Sequence, residues 1–141
     1  MITFYQAKIN YLKQAENGSI FKKTEEYVLS SLSFTECEAR LQSILEQYIP
    51  EYELKALKQS NFNDVIIDES KDFFFKAKIV YVSADADTGK EKKITEYYLV
   101  QADNIADCIE KLNEKMEGTV MDWESSSVSK TKIVDVFPYE D

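Results

Sequence analysis

The residue types that most often carry out chemistry are sparse in this chain, and where they occur their spacing argues against a reaction centre. Histidine is absent from all 141 residues. That removes the commonest general base and metal ligand, together with every Ser-His and Cys-His dyad. The two cysteines, Cys37 and Cys108, cannot build a disulfide framework or a cysteine zinc site. Both fall in apolar helical stripes, which marks them as inert core thiols. Asp85-Ala86-Asp87-Thr88-Gly89, with Glu96 further on, has the outline of a calcium loop, but Lys90 stands where that loop needs glycine and the flanking pattern is that of a hairpin. Adjacent carboxylates such as Glu25 with Glu26, or Glu51 with Glu53, have the composition for acid-base work. With 26 acidic residues in the chain, such pairs are expected on solvated faces. Glycines at 18, 89 and 118 are too scattered for a phosphate loop or a dinucleotide fingerprint. The expectation is a non-enzymatic protein with no cofactor and no metal.

Binding chemistry is better represented. Two stretches place aromatic and lysine side chains in matching rows: Phe4, Gln6 and Lys8 mirror Phe74, Lys76 and Lys78, and Lys22 and Lys23 mirror Lys92 and Lys93. Leu12, Val80 and Val82 add apolar surface between the lysines. On an exposed sheet face these rows would form a symmetric pocket for a small anionic ligand, or an interface with a protein. The competing structural reading is that edge lysines guard against aggregation while Phe4 and Phe74 cap the core.

The elements that must position these residues are legible because the chain contains itself twice. At an offset of 70, Phe4-Tyr5-Gln6-Ala7-Lys8-Ile9-Asn10-Tyr11 lies on Phe74-Phe75-Lys76-Ala77-Lys78-Ile79-Val80-Tyr81, with five of eight positions identical. One extra loop residue then shifts the offset to 71. Thr24-Glu25 falls on Thr95-Glu96, Tyr27 on Tyr98, Cys37 on Cys108, Leu41 on Leu112, Tyr52 on Trp123 and Asp64-Val65 on Asp135-Val136.

Each copy reads as strand, hairpin, strand, helix, strand and a short last strand. Tyr5, Ala7, Ile9 and Tyr11 alternate with polar residues at period two, as Phe75, Ala77, Ile79 and Tyr81 do again. Asn17-Gly18 predicts a tight turn with positive φ at both central positions, and Asp87-Thr88-Gly89 is its counterpart with one more residue. Ser33-Phe34-Thr35-Glu36 is a capping box, with a weaker version at Asn104-Ile105-Ala106-Asp107. The helical stripes that follow are Phe34, Cys37, Leu41, Ile44, Leu45 and Tyr48, then Ile105, Cys108, Ile109, Leu112 and Met116. Pro50 and Gly118 stop the helices, and segments 51–59 and 123–131 return as strands, followed by 65–67 and 133–137.

The expected fold is α+β: tandem pseudosymmetric β-β-α-β(-β) repeats, residues 1–70 and 71–141, packed as one compact unit. It has antiparallel sheet with the two helices on one side, related by a pseudo-twofold axis. A chain of 16.4 kDa with 44% hydrophobic and 13% aromatic residues has ample material for such a core. Its formal charge of −9, spread over both halves, disfavours direct nucleic-acid binding and favours a protein partner with a basic surface. There is no signal-peptide pattern and no long apolar run, so a cytoplasmic, non-membrane protein is expected, with homodimerisation open.

At Ser33-Phe34-Thr35-Glu36-Cys37-Glu38-Ala39-Arg40 and at Asp135-Val136-Phe137-Pro138-Tyr139-Glu140, the chain resembles domain-of-unknown-function family 4494. These are small proteins of bacteria, phages and mobile elements. The similarity spans the whole length, including Lys-Thr-Glu near Lys23 and Gly118-Thr119. The resemblance implies no assigned activity, cofactor or catalytic residue. It implies a phage or mobile-element setting, in which a binding protein that acts as an inhibitor or assembly accessory is the leading expectation. A sponge for a small nucleotide-like anion is the first alternative, and a carboxylate- or metal-dependent hydrolase the second.

Overall fold

A computed structural model describes residues 2–139. In chain order the elements are β1 (Thr3–Gln14), β2 (Ile20–Ser31), α1 (Phe34–Leu45), β3 (Glu53–Gln59), β4 (Phe62–Ile66), β5 (Phe73–Ala84), β6 (Glu91–Ala102), α2 (Ile105–Lys115), β7 (Asp122–Lys130) and β8 (Ile133–Phe137). The class is α+β, and the same element order occurs in both halves.

The period-two pattern of β1 and β2 places Tyr5, Ala7, Ile9, Tyr27 and Leu29 on one face, where they bury together with Cys37, Leu41 and Leu45 of α1. Phe75, Ala77, Ile79, Tyr81, Tyr98, Val100 and Ala102 pack in the same way with Cys108, Leu112 and Met116. The buried helical positions are spaced four residues apart, a narrower stripe than the sequence pattern implies. Phe34, Tyr48, Ile105 and Ile109 stand at the margins and stay 49%, 77%, 50% and 37% exposed, although Phe34 still meets the Tyr5 ring edge-on at 4.8 Å.

Two local expectations are revised. Asn17 does not take positive φ; Gly18 alone does, at +88°, with its N–H donating to Ala15 O at 2.9 Å. The loop is therefore a longer hairpin connection closed by one left-handed glycine, and the Asn17 carboxamide instead accepts from Ser19 N and Oγ. At the helix starts, Ser33 Oγ accepts from Glu36 N at 3.1 Å, but Glu36 Oε1 is buried without a hydrogen-bond partner. The shorter Asp107 is the acid that folds back, onto Asp103 N at 3.0 Å.

Eight strands divide into two four-stranded sheets, β3-β1-β2-β8 and β4-β6-β5-β7. All neighbours are antiparallel except two: β8 runs parallel to β2, and β4 parallel to β6. The last strand of each half thus belongs to the sheet built by the other half. In space, among the described residues, one unit comprises 2–61 with 132–139 and the second 62–131, whereas the sequence similarity divides near residue 70. The crossings are pinned alike. Ser60 N donates to Phe4 O at 2.8 Å, and Thr131 N donates to Phe74 O at 2.9 Å. Bulges fall at corresponding places too, between Lys8 and Ile9 against β3 and between Lys78 and Ile79 against β7.

One helical cation in each unit grips the chain that follows the exchanged strand. Arg40 of α1 donates to Ser30 O and to Pro138 O, the latter at 3.0 Å, and its guanidinium lies 5.6 Å from the centre of the Tyr139 ring. Lys111 of α2 donates to Gln101 O at 2.8 Å and pairs with Asp68 at 2.8 Å.

Leu41 and Leu112 are 0% and 1% exposed. Replacing either by alanine is expected to lower unfolding free energy by about 2–5 kcal/mol, as the leucine loses its packing and leaves a cavity. Urea denaturation measures this, and a loss within about 1 kcal/mol would show that the helix does not anchor its sheet.

Candidate functional site

Within each sheet, most residues named from the sequence share the face turned away from the helix: Phe4, Lys8 and Lys22 in one, and Phe74, Lys76, Lys78 and Lys93 in the other, with Lys23 and Lys92 on the opposite face. Adjacent strand residues point to opposite faces, so Lys22 and Lys23 are separated by the sheet, as are Lys92 and Lys93. Pairing also corrects their equivalence. Leu12 pairs with Lys22 and Val82 with Lys93, while Tyr11 pairs with Lys23 and Tyr81 with Ile94; Lys22 corresponds to Lys93, and Lys23 to an isoleucine. Lys23 lies 3.5 Å from Glu25 on the helix-facing side. Phe74 is buried at 2% exposure and Phe4 is half-buried, so neither offers an open aromatic face. Lys76 sits over the Tyr97 and Phe62 rings, at 4.7 and 5.5 Å from their centres. Lys78 is half-buried, and Lys92 and Lys93 are exposed. Lys8 is exposed and borders a depression of about 390 Å³ with Thr24, Glu26 and Lys132.

Both cysteines are fully buried. Burial pushes the Cys108 thiol up to about 11 and raises Cys37 as well. Neither is a thiolate near neutrality. Glu25 and Glu26 face opposite ways and cannot share a substrate, and Asp85 spends its Oδ1 on the amides of Asp87 and Thr88, capping the β5–β6 hairpin. No cluster of three His, Cys, Asp or Glu side chains able to hold a metal occurs among the described residues.

What the structure brings together instead is a tyrosine-carboxylate cluster on the helix-facing side of each sheet. Tyr11 donates to Glu25 Oε1 at 2.5 Å and Tyr27 donates to Glu25 Oε2. Burial acts to raise the Glu25 carboxyl, but the two phenol hydrogen bonds and Lys23 outweigh it and leave it below its ordinary value. Burial and the same carboxylate push Tyr11 up to about 12 and Tyr27 higher still. In the other sheet Tyr81 and Tyr98 meet hydroxyl to hydroxyl at 3.1 Å, with Met116 Sδ 3.5 Å from Tyr81, and burial followed by Tyr98 and Glu96 raises Tyr81. A signal for this lay in the sequence: Tyr11, Glu25 and Tyr27 recur as Tyr81, Glu96 and Tyr98 at the repeat offset. The cluster satisfies a half-buried carboxylate and closes the open end of the core.

Beside this cluster the surface opens. One depression of about 320 Å³ is lined by Asn10, Tyr11, Leu12, Lys22, Glu51, Tyr52 and Glu53. Another of about 390 Å³ is lined by Glu38, Gln42, Pro50, Glu51, Tyr52 and Leu54. They meet at Glu51 and Tyr52. Leu12 is 71% exposed here, and Tyr52 packs its ring against the α1 core while burial, then Glu38, raises its phenol. By the strand register, Leu12, Lys22 and Glu53 of the first depression lie on the sheet face away from the helix, while the second runs between α1 and the start of β3 on the helix side, with Glu38 and Glu51 beside Pro50, Tyr52 and Leu54. Sequence reading noted Glu51 and Glu53 but missed the helix-side groove, because Glu38 and Leu54 come from separate elements.

Native protein is expected to leave both thiols unreactive toward Ellman's reagent until denaturant is added; rapid reaction in buffer would overturn their placement. Tyr11 is neutral in the fold up to about 12, whereas an unfolded tyrosine ionises near 10. Its contribution to stability is complete below about pH 10 and is lost as pH rises toward 12. Alkaline unfolding followed by tyrosinate absorbance checks this, and Tyr11→Phe should flatten the pH dependence in that window.

No curated protein matches the chain. Across residues 3–139 it matches the family model described as Domain of unknown function (DUF4494). With the match covering nearly every residue of the paired α+β units, the chain belongs to the DUF4494 family.

Proposed function

We propose that this protein is a non-catalytic binding module of the phage or mobile-element type, which engages a host or phage protein as an inhibitor or assembly accessory. The observation that carries this reading is the helix-side groove at Tyr52, where Pro50, Tyr52 and Leu54 supply apolar contact and Glu38 and Glu51 supply negative charge. A partner that fits it presents a basic, partly apolar segment. Apolar contact gives affinity, while the carboxylates and the overall charge of −9 steer approach and select against acidic partners such as nucleic acid. The protein acts in the cytoplasm, where its two thiols stay reduced, and its halves descend from one duplicated β-β-α-β-β unit.

A second reading has one observation in its favour. Lys8, Thr24 and Lys132 border a common depression, the chemistry a small phosphate-bearing ligand needs, although Glu26 on the same rim opposes an anion.

Wild-type protein and a Tyr52→Ala/Glu51→Lys variant should be compared as baits in the native lysate, and the recovered partner purified and titrated against both at two salt concentrations. The expected outcome is at least about a tenfold affinity loss in the variant and weaker wild-type binding at high salt. Equal affinity for both proteins would overturn the groove as the interface. Native mass spectrometry of wild-type protein showing a few hundred daltons of retained mass, lost in Lys8→Glu but kept in the groove variant, would establish the ligand-sponge reading instead.

A further inference from the structure

The two exchanged strands are held by different chemistry, and the difference has a consequence for how the protein opens. Around β8 the contacts are neutral or reach neutral groups. Arg40 binds two backbone carbonyls, Tyr139 N donates to Ser30 Oγ, and Phe137 stacks on Tyr27 with ring centres 5.5 Å apart. Around β4 Tyr97 N donates to Asn63 Oδ1 at 2.8 Å and Ile66 packs on the core, but the side chains of the strand and of the segment after it are tied to α2 and its N-terminal approach through ion pairs. Lys115 of α2 reaches Asp64 at 2.6 Å, Lys111 reaches Asp68 at 2.8 Å and Asp107 at 3.4 Å, and Lys71 reaches Asp103 at 2.8 Å. Gln101 of β6 ties the same stretch by accepting from Asp68 N and donating to Lys71 O. A shallow groove of about 690 Å³ runs beside these pairs, lined by Ile66, Ile67 and Asp68 with Glu69, Lys111 and Glu114 among its charged neighbours, so water and salt reach them.

We propose that β4 with the segment through Lys71 is a charge-held latch on β6, and that ionic strength or acid releases it while β8 stays docked on β2. Exposed ion pairs weaken when salt screens them, whereas ring stacking and backbone hydrogen bonds respond little. β4 is a five-residue parallel strand on a sheet edge, and such edges are where local opening begins.

The acid response has a definite sign. Lys111 followed by Ser70 holds the Asp68 carboxyl well below the usual carboxylate range, and the amide of Asp103 with the two lysines lowers Asp107. Groups facing them are Lys111 and Lys115 from α2, Lys71, Asp64, Asp103, Glu69 and Glu114 around the groove, and neutral Gln101 and Tyr98 from β6. Because the folded-state values are depressed, their stabilisation is complete above the ordinary carboxylate range near 4 and is lost progressively below it, as pH falls toward the depressed folded-state values.

Hydrogen exchange read by mass spectrometry on the full chain, at about 0.02 M and about 1 M sodium chloride, tests the latch. The expected result is roughly tenfold faster exchange in peptides covering residues 62–66 at high salt, with peptides covering 133–137 unchanged. Lys115→Met should speed exchange in 62–66 at low salt and remove much of the salt response. Equal responses in both segments, or none in either, would overturn the proposal. The wild-type salt series decides the matter even if the variant fails to fold.

Discussion

The structure depends on one requirement, that the outer edge of each central hairpin strand must have its backbone amides and carbonyls paired. The second halves of β2 and β6 are buried without a break, with Val28, Leu29, Leu99 and Val100 all inaccessible. Polar backbone in such surroundings has to be hydrogen-bonded, since water cannot reach it. β1 and β5 sit on one side of these strands, and nothing from the same half covers the other. The missing partner comes from the far end of the opposite half, as β8 on β2 and β4 on β6. Each half is therefore incomplete by one strand; the β4-β6-β5-β7 sheet forms from one continuous stretch once the chain has crossed after β3, and the β3-β1-β2-β8 sheet is complete only when the chain crosses back after β7.

Satisfying that edge has knock-on effects. The chain leaving each exchanged strand passes beside a helix, where position 40 or its counterpart 111 supplies a cation. Arginine in one unit forks between two carbonyls and leans on a tyrosine ring; lysine in the other joins aspartates. Planar guanidinium suits the first geometry and a compact ammonium the second, so related backbones end up with docking interactions of different character. The bulges beside Lys8 and Lys78 serve the same closure, bending β3 and β7 where they turn away from the sheet.

The groups with reactive potential are absorbed by the fold. The thiols lie under the helices, Glu25 is claimed by two phenols and a lysine, and the aspartates of α2 are neutralised by Lys71 and Lys111. In the groove at Tyr52, by contrast, Glu38 and Glu51 are exposed and share a depression with Pro50, Tyr52 and Leu54. That arrangement is the physical basis for reading the molecule as one that holds another surface.

Local order was determined by sequence alone. Alternation in β1 and β5, the Ser33 and Asn104 caps, the glycine-closed hairpins and the helical rows through Cys37 and Cys108 follow from side-chain period and turn chemistry within a few residues. Burial of both cysteines followed from the same periodicity. The narrower helical stripe, the opposite facing of Lys22 and Lys23, and the groove at Tyr52 depended on strand register and on which element lay opposite. Above all, tertiary structure decided where β4 and β8 went. Phe62–Ile66 and Ile133–Phe137 are five-residue apolar strands, and the edges of β2 and β6 are so alike in pattern that local sequence does not distinguish the near edge from the far one. Only the folded path of the chain, with two-residue links at 60–61 and 131–132, resolves which edge each strand completes.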